Sequence, residues 1–333
     1  MESTGTLLLK RNDIASLLKI DECMKAVEEA FCLYAKGKVL PPKVLGLHNQ
    51  NGGIHVKAGM GKYFVTKVNA NFPENSKQFG LPTIQGIIVL NDSNNGRLLA
   101  LMDTIELTII RTGAATGIAA KWLAPEQASM VTICGCGNQG RISLKALMQV
   151  RKIEKVFAFD LDPVQVERLA IEFQNEVEII PIEIYDLNSA LRKSKIIVSC
   201  TTSKKPFIHK EDILPDTFIA AVGADHADKQ ELFPSLLAVS KIVTDLTEQC
   251  ATMGELHHAI KDKLMTTDNV YAELGEIIAG QKAGRNSEKE IIIFDSTGTA
   301  LQDVAAASIV YERALALGIG TKLNFSEQKL VHI

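Results

Sequence analysis

Hydrophobic positions in the first third of the chain follow two different periods. In residues 13–37 they recur every three to four residues, which predicts helices. In residues 43–102 they form short alternating or apolar runs between turns rich in glycine and asparagine, which predicts a mainly antiparallel sheet. A helix is then predicted for residues 104–123, and its middle is rich in glycine, alanine and threonine. Because small residues allow backbones to approach closely, we expect tight packing there.

After Pro125 the pattern becomes an alternation of apolar strands and helices, so we place a domain boundary near residues 122–128. Strands are predicted at residues 130–134, 155–159, 177–180, 195–200, 217–222, 241–246 and 290–294. This alternation predicts an α/β fold with a doubly wound parallel sheet and right-handed crossovers. A last helix follows Gly298, and we expect it to return to the N-terminal sheet.

A glycine-rich turn follows the first of these strands and begins the next helix. Its glycines are Gly135, Gly137 and Gly140, the spacing of a dinucleotide-binding turn. The first permits the tight turn, the second lets a pyrophosphate approach the backbone, and the third lets helix and strand pack closely. The second strand ends in Asp160, where an acid can bind the ribose hydroxyls. We therefore predict a Rossmann domain that uses NAD rather than NADP, because a carboxylate repels a 2′-phosphate.

Composition and charge narrow the range of partners. The 333 residues are 46% hydrophobic and 23% charged, and the formal net charge is −3. These values give no reason to expect a nucleic acid or an anionic membrane as partner. No apolar run reaches the ~18 residues of a membrane helix, and no signal-peptide core is present, so we expect a cytoplasmic protein. The cysteines are scattered, which indicates a reducing compartment and no metal site.

Several charged residues are candidates for chemistry. Lys67 lies in an apolar strand, so it is either at an exposed edge or directed at an anion in a pocket. Arg111 lies early in the third predicted helix and is either solvated or paired with a phosphate or carboxylate. Lys43 follows two prolines and is unremarkable alone. Asp225 follows a strand at the ligand edge of the sheet, where it can cap a helix or transfer a proton for an amine or imine. Lys229 can neutralise that carboxylate or reach the ribose.

Two further segments follow strands at the same edge of the predicted sheet. Gly223 precedes Asp225 by two residues, and we expect it to open space beside the nicotinamide. Residues 295–298 follow the last strand and include two hydroxyl side chains. We expect them to cap the final helix while a hydroxyl faces the cofactor.

Together these motifs resemble the ornithine cyclodeaminase/μ-crystallin family, especially its archaeal-type alanine dehydrogenases. The resemblance rests on residues 41–43, 67–69, 80–83, 101–103, 111–115, 135–140, 223–225, 229–232, 275–277 and 294–298. These stretches span nearly the whole chain in one order, so the likeness is specific. It implies a homodimer, with a dimerisation and substrate domain of residues 1–124 and 299–333 and a cofactor domain of residues 125–298.

The resemblance also implies roles for the candidate residues. Lys67 and Arg111 would hold the substrate carboxylate, with Lys43 assisting, although that position is usually an arginine and lysine lacks the bidentate fork. Asp225 and Lys67 would be the catalytic residues. The residues implied to bind NAD are Thr83, Arg111, Thr112, Gly135, Gly137, Asn138, Gln139, Gly140, Asp160, Thr201, Val222, Gly223, Lys229, Ser296 and Gly298.

The implied chemistry is oxidation of an amino acid to an imine, whose fate decides the activity. Water attack releases ammonia and a 2-oxo acid, as in the alanine dehydrogenases of the family. Attack by a side-chain amine gives a cyclic imino acid, as in the cyclodeaminases, and reduction of a ready-made cyclic imine is the ketimine reductase variant. The resemblance implies that cyclodeaminases of the family carry an acid in the strand that corresponds to residues 53–57. This chain has His55 and Lys57 there and no carboxylate, so we favour a small amino acid as the substrate. Crystallin-like ligand binding without turnover is the alternative of another class.

Overall fold

The computed structural model describes residues 5–324, which form two compact units. The first comprises residues 5–30, 37–111 and 300–324, and the second residues 31–36 and 112–299. Residues 1–4 and 325–333, which the sequence assigns to the substrate domain, lie outside the described part. None of the helices within residues 5–324 combines the length and apolar composition that crossing a membrane requires.

Strands and helices are numbered in chain order. The strands are β1 (Thr6–Leu9), β2 (Lys43–Asn49), β3 (Gly52–Met60), β4 (Tyr63–Asn71), β5 (Ile84–Asp92), β6 (Leu98–Asp103), β7 (Met130–Cys134), β8 (Lys155–Phe159), β9 (Glu178–Pro181), β10 (Ile196–Ser199), β11 (Thr217–Ala221), β12 (Lys241–Thr244), β13 (Ala272–Glu273), β14 (Ile291–Asp295) and β15 (Thr321–Leu323). The helices are α1 (Arg11–Leu17), α2 (Ile20–Ala35), α3 (Asn75–Gln78), α4 (Ile105–Leu123), α5 (Asn138–Leu147), α6 (Pro163–Phe173), α7 (Leu187–Lys193), α8 (Pro234–Leu237), α9 (Thr247–Met253), α10 (Glu255–Lys261), α11 (Leu274–Ile278) and α12 (Ala300–Leu317).

The first unit is built on a seven-stranded sheet in the order β15-β1-β6-β5-β4-β3-β2. Neighbouring strands are antiparallel, except that β1 runs parallel to β6. The predicted antiparallel sheet of residues 43–102 is therefore confirmed. Helix α12 packs on β3 and β4, as expected for the final helix. Gly59 permits this approach, because a Cβ there would lie 3.1 Å from Ala300 and Val304.

The second unit contains an eight-stranded parallel sheet in the order β13-β12-β14-β11-β10-β7-β8-β9. Runs of β-branched and aromatic residues form the central strands, and β10 and β11 are buried along their whole length. The predicted doubly wound α/β fold is thus confirmed, and each predicted strand is present within two residues of its expected ends. The sheet order reverses between β7 and β10, so the carboxyl end of β7 is the point where open α/β sheets bind ligands.

The small residues of α4 pack against α5 in the second unit. A Cβ on Gly113 would lie 2.7 Å from Ile142, and the Ser143 hydroxyl donates a hydrogen bond of 3.4 Å to Thr116. This is the tight packing expected from the sequence. It also explains why the first unit ends at residue 111, whereas the sequence placed a boundary near residues 122–128.

Candidate functional site

Three glycines shape the turn between β7 and α5, each for a separate physical reason. Gly135 has a φ of 98°, which favours glycine, and a Cβ there would lie 3.0 Å from the Cys200 carbonyl oxygen. At Gly137 no heavy atom lies within 4 Å of the Cβ position, so this backbone is open to a ligand. A Cβ on Gly140 would overlap the carbonyl oxygen of Gly135, so close packing excludes any side chain there.

Asp160 lies beside this turn at the end of β8. Its Oδ2 accepts a hydrogen bond of 2.8 Å from the Cys136 N–H, and its Oδ1 accepts one of 2.9 Å from the Asp162 N–H. A cleft of about 670 Å³ adjoins the turn. Its lining includes Gly135, Gly137, Phe159, Asp160, Thr201 and Phe207. An open backbone, a carboxylate and apolar walls therefore meet in one cleft, as a dinucleotide requires.

Helix α5 begins at Asn138, so its unpaired N–H groups and the positive end of its dipole face the glycine turn. The Asn138 Oδ1 accepts a hydrogen bond of 2.6 Å from Arg141. Oε1 of Gln139 is buried and has no hydrogen-bond partner among the described residues. The start of this helix thus offers donors for an anion and one open acceptor. No group of three or more histidine, cysteine, aspartate or glutamate side chains in residues 5–324 is placed to hold a metal ion.

Asp225 follows β11 in the second unit, and its side chain is 43% exposed. Lys229 Nζ lies 2.5 Å from the Asp225 Oδ1 and 3.3 Å from the Gly223 carbonyl oxygen. Burial lowers the pKa of Lys229, but the Asp225 carboxylate more than compensates, so the pKa is raised overall. Lys229 is thus paired with the Asp225 carboxylate, and its predicted contact with the ribose stays a prediction.

The buried residue Glu231 lies against Gly223. A Cβ on Gly223 would overlap the Glu231 Oε2, so the glycine makes room for this side chain, and its contact with the nicotinamide stays a prediction. Glu231 is fully buried, and its Oε1 accepts a hydrogen bond of 2.6 Å from the Thr201 N–H. Burial raises the pKa of Glu231. This carboxylate therefore fixes the backbone of Thr201, which lines the cleft.

Two further buried acids, Glu255 and Asp295, also accept hydrogen bonds from backbone N–H groups. Glu255 accepts hydrogen bonds from the N–H groups of Glu231 and Leu232, at 2.8 and 3.1 Å. Asp295 accepts bonds of 3.2 and 2.9 Å from the N–H groups of Glu255 and Leu256, at the start of α10. Burial raises the pKa of Asp295 to about 7, and burial together with Glu231 and Asp295 raises that of Glu255 well above its usual value. The sequence analysis did not identify Glu255, and it singled out Asp295 only as part of the segment 295–298.

The segment at residues 295–298 is organised by Asp245. Its Oδ2 accepts hydrogen bonds of 2.8 Å from both the Ser296 hydroxyl and the Gly298 N–H. Asp245 is buried, and so is Ser296. The Ser296 hydroxyl is thus bound to a carboxylate, while Gly298 has a φ of 74° just before α12. The segment turns the chain into α12. The predicted contact of a hydroxyl of this segment with the cofactor stays a prediction.

The first unit contains a buried charge cluster, formed by Lys67, Arg111, Gln302 and Asp303. Lys67 Nζ lies 2.8 Å and Arg111 Nε 3.1 Å from the Asp303 Oδ1. Arg111 Nη1 donates a hydrogen bond of 2.6 Å to the Gln302 Oε1. Lys67 is 2% exposed and Asp303 fully buried. The alternatives of an edge lysine and a solvated arginine are therefore wrong, because both side chains point into the unit and share an anion.

Burial and neighbouring charges together set the protonation of this cluster. Burial and the positive charge of Arg111 lower the pKa of Lys67 to about 7, although Asp303 opposes both effects. Burial raises the pKa of Asp303, but the positive charges of Lys67 and Arg111 lower it by more, so the pKa of that carboxyl is lowered overall. Lys67 can thus gain or lose a proton near neutral pH while Asp303 stays ionised.

The register of β2, β3 and β4 decides which other candidates share the face of Lys67. Lys57 lies directly opposite Lys67, and His55 is two residues from Lys57, so both belong to that face. Lys43 pairs with Ala58, which places it on the opposite face, and its side chain is exposed. The structure therefore does not bring Lys43 to the charge cluster, contrary to the expected assistance.

The remaining candidates are scattered over loops and element ends. Thr83 precedes β5, and its carbonyl accepts a hydrogen bond of 2.9 Å from Phe72. Thr112 lies in α4, where its carbonyl accepts a bond of 3.3 Å from the Thr116 hydroxyl. Val222 is buried just after β11. These positions neither support nor oppose the predicted contacts with a cofactor.

Gln302 and Asp303 are the functional candidates that sequence reasoning missed in the first unit. Both lie in the first turn of α12, within a stretch that is otherwise dominated by buried alanine, leucine and valine. Two adjacent polar residues at the buried start of an apolar helix are the signal that could have found them.

Comparison with known proteins places these features in context. The ornithine cyclodeaminase/mu-crystallin family model matches residues 4–318. The alanine dehydrogenase of Archaeoglobus fulgidus is 41% identical over 325 residues, which cover 96% of this chain and 98% of that protein. Both units and their motifs therefore lie within the matched region.

Two solved structures show the same likeness in three dimensions. An archaeal alanine dehydrogenase dimer with bound NAD has a TM-score of 0.93 and 38% identity, covering 96% of this chain and 99% of that one. The Δ1-pyrroline-2-carboxylate reductase of Thermococcus litoralis, solved with NADH and L-proline, has a TM-score of 0.88 and 33% identity, covering 96% and 100%. Both neighbours bind a nicotinamide dinucleotide.

Proposed function

Because this chain belongs to the ornithine cyclodeaminase/mu-crystallin family, we propose that it is an NAD-dependent oxidoreductase acting on the carbon–nitrogen bond of a small L-amino acid. The reaction that we favour is reversible oxidative deamination to a 2-oxo acid and ammonia, as in an alanine dehydrogenase. The observation that carries this proposal is the buried pair Lys67 and Arg111, which share one carboxylate. Two buried cations facing one anion can accept the carboxylate of a further ligand.

The cofactor would bind in the second unit. The open backbone at Gly137 and the start of α5 suit the pyrophosphate, and Asp160 suits the ribose hydroxyls. When bound, NAD⁺ supplies a hydride acceptor, so that the amino acid is oxidised to an imine. Thr201 is held at the cleft by Glu231 and would complete this wall. Roles for the other predicted contact residues stay predictions.

Lys67 and Arg111 would hold the α-carboxylate of the substrate. An ammonium has three donors and a guanidinium five, so each retains donors after binding Asp303 or Gln302. Holding the carboxylate fixes the orientation of the α-carbon. Lys43 is left out of this proposal, because its register places it on the other face of the sheet.

Asp225 and Lys67 would carry the protons. In the oxidative direction water adds to the imine carbon, which requires a base to remove a proton from the water and an acid to protonate the leaving ammonia. Asp225 is paired with the Lys229 ammonium, which stabilises its carboxylate form. Lys67, whose pKa is lowered to about 7, can serve as either the acid or the base.

The strand β3 argues against ornithine as substrate. Cyclisation requires recognition of a distal ammonium, yet the face that carries Lys67 presents His55 and Lys57 in β3. Nε2 of His55 lies 2.9 Å from Nε2 of His48, so imidazoles rather than carboxylates occupy this part of the face. Likeness to a reductase solved with L-proline keeps reduction of a cyclic imine as the second candidate.

We also propose that the protein is a homodimer. The sheet face opposite α12 carries a cross-strand row formed by Leu45, Val56, Val68 and Ile87. Leu45 is 58% and Ile87 38% exposed within this row. A contiguous apolar sheet face of this kind is typical of a surface covered by a partner. A neighbouring alanine dehydrogenase was solved as a dimer, which supports a second copy as that partner.

A substrate panel tests the proposed function. Purified protein is incubated with NAD⁺ and L-alanine, and NADH is followed by absorbance. Parallel reactions measure proline formation from L-ornithine without net NADH, and NADH oxidation with Δ1-pyrroline-2-carboxylate. NADH formation from alanine or another small amino acid, with ammonia released in equal amount, is the expected result.

The other outcomes each point to one alternative. Proline formation from ornithine would establish a cyclodeaminase, and imine reduction without amino-acid oxidation a ketimine reductase. If NADH binds but none of these reactions occurs, crystallin-like binding without turnover becomes the better interpretation.

A further inference from the structure

We propose that Asp303 is a positioning residue that sets the charge state of Lys67 and the orientation of Arg111. The proposal rests on the proposed function, in which these two cations hold the substrate. Asp303 touches neither substrate nor cofactor in this scheme, and it acts only through Lys67 and Arg111.

The position of Asp303 is fixed by the backbone. It lies in the first turn of α12, where the positive end of the helix dipole favours a carboxylate. Gly59 lets that turn lie against the sheet, because a Cβ there would meet Ala300 and Val304 at 3.1 Å. The carboxylate is thereby brought 2.8 Å from Lys67 Nζ, although 236 residues separate the two along the chain.

The charges around Lys67 come from three elements of the first unit. Arg111 on α4 and Lys57 on β3 are cations that disfavour its ammonium form, and Asp303 on α12 favours it. Cys23 on α2 is neutral, because burial raises the pKa of its thiol to about 12. Asp303 is thus the carboxylate that keeps Lys67 from losing its proton well below neutral pH.

Two polar atoms of the cluster are left open. Oδ2 of Asp303 and Nε2 of Gln302 are buried and have no hydrogen-bond partner among the described residues. A purely structural ion pair is normally closed by its own protein partners. Open donor and acceptor atoms beside Lys67 and Arg111 instead fit a cluster that is completed by a bound water.

The test compares wild type with Asp303→Asn by two readouts. The titration midpoint of Lys67 is measured without substrate from the ¹³Cε shift of lysine-labelled protein, assigned with Lys67→Arg. The pH profile of kcat/KM is measured with the best substrate of the panel. Loss of the carboxylate should move both midpoints down by about one pH unit. Asp212→Asn, which changes a buried aspartate of the second unit paired with Arg192, is the matched control and should keep the wild-type values.

Midpoints that coincide in wild type and folded Asp303→Asn would overturn the proposal. If Asp303→Asn does not fold, Asp303→Glu retains the charge and should titrate near wild type, and a downward shift there would equally contradict the inference. Absence of turnover with every substrate would refute the proposed function, while the ¹³C titration would still report whether Asp303 controls Lys67.

Discussion

At the scale of single residues, Lys67 combines deep burial with a proton that is exchangeable near neutral pH. Burial removes water from the ammonium group and lowers its pKa to about 7, while Asp303 prevents a larger shift. Both protonation states are then populated at physiological pH. Proton transfer in either direction requires this balance, so the residue suits a reversible reaction.

Replacing Lys67 should therefore abolish most of the activity. We expect Lys67→Met to lower kcat/KM by about 10²- to 10⁴-fold, the range for loss of a general acid or base. Lys62→Met is the matched control, because Lys62 is exposed in the turn before β4, where it pairs with Glu312. Initial rates of NADH formation, with circular dichroism to verify folding, provide the measurement. Activity within tenfold of wild type would remove Lys67 from the catalytic machinery.

We propose that the charge of Asp160 sets the preference for NAD over NADP. Asp160→Asn retains an acceptor for the Cys136 N–H and removes the repulsion of a 2′-phosphate. We expect the ratio of kcat/KM for NAD to that for NADP to fall at least about tenfold. Asp162→Asn is the control, because Asp162 caps α6 and asparagine also caps helices. An unchanged ratio in Asp160→Asn, or wild-type use of NADP as good as that of NAD, would contradict the role of Asp160.

At the scale of helices and strands, local patterns predicted most of the fold. The strands of the parallel sheet were found because they are buried runs of apolar residues, and the glycine turn because its spacing has a physical cause. β13 escaped prediction because two residues carry no period. Asp303 and Glu231 were missed because their partners lie far away in sequence. The register that puts Lys43 in β2 and Lys67 in β4 on opposite faces of the sheet is likewise a long-range property.

The glycine turn gives a prediction that separates stability from binding. Gly140→Ala places a Cβ against the Gly135 carbonyl oxygen and should lower the free energy of unfolding by about 1–3 kcal/mol. Gly137→Ala meets open space at an ordinary backbone conformation, so stability should be unchanged. Its Cβ enters the cleft, however, and should weaken NADH binding at least about tenfold. Thermal unfolding and NADH fluorescence titration measure the two effects, and equal loss of stability in both variants would contradict this division.

The buried acid Asp295 should make stability depend on pH in a defined direction. Its folded pKa is raised by burial from 3.8 to about 7, so its contribution is fully present below pH 3.8 and is lost as pH rises through 7. The stability advantage of wild type over Asp295→Asn should therefore shrink by about 1.4 kcal/mol per pH unit across this window. Urea unfolding between pH 5 and 8 measures the difference. A difference that is constant or grows with pH would contradict the raised pKa.

At the scale of the whole molecule, the sheet of the first unit has two unlike faces. One is covered by α12 and carries the charge cluster, and the other carries Leu45, Val56, Val68 and Ile87. The covered face provides the polar chemistry of the unit. The apolar face contributes nothing to that chemistry. We attribute its apolar composition to the proposed contact with a second copy of the chain.

A charge in the middle of the apolar face should prevent the proposed dimer. Ile87→Lys places an ammonium on β5, where a lysine in a free subunit reaches water but one between two copies is buried without a partner. We expect wild type to sediment at about twice the chain mass of 36.3 kDa, and the variant to dissociate toward one chain. Ile171→Lys, on an exposed position of α6 in the second unit, should sediment as wild type does. Dimeric Ile87→Lys with an unchanged dissociation constant would place the interface elsewhere, whereas a monomeric wild type would refute the homodimer itself.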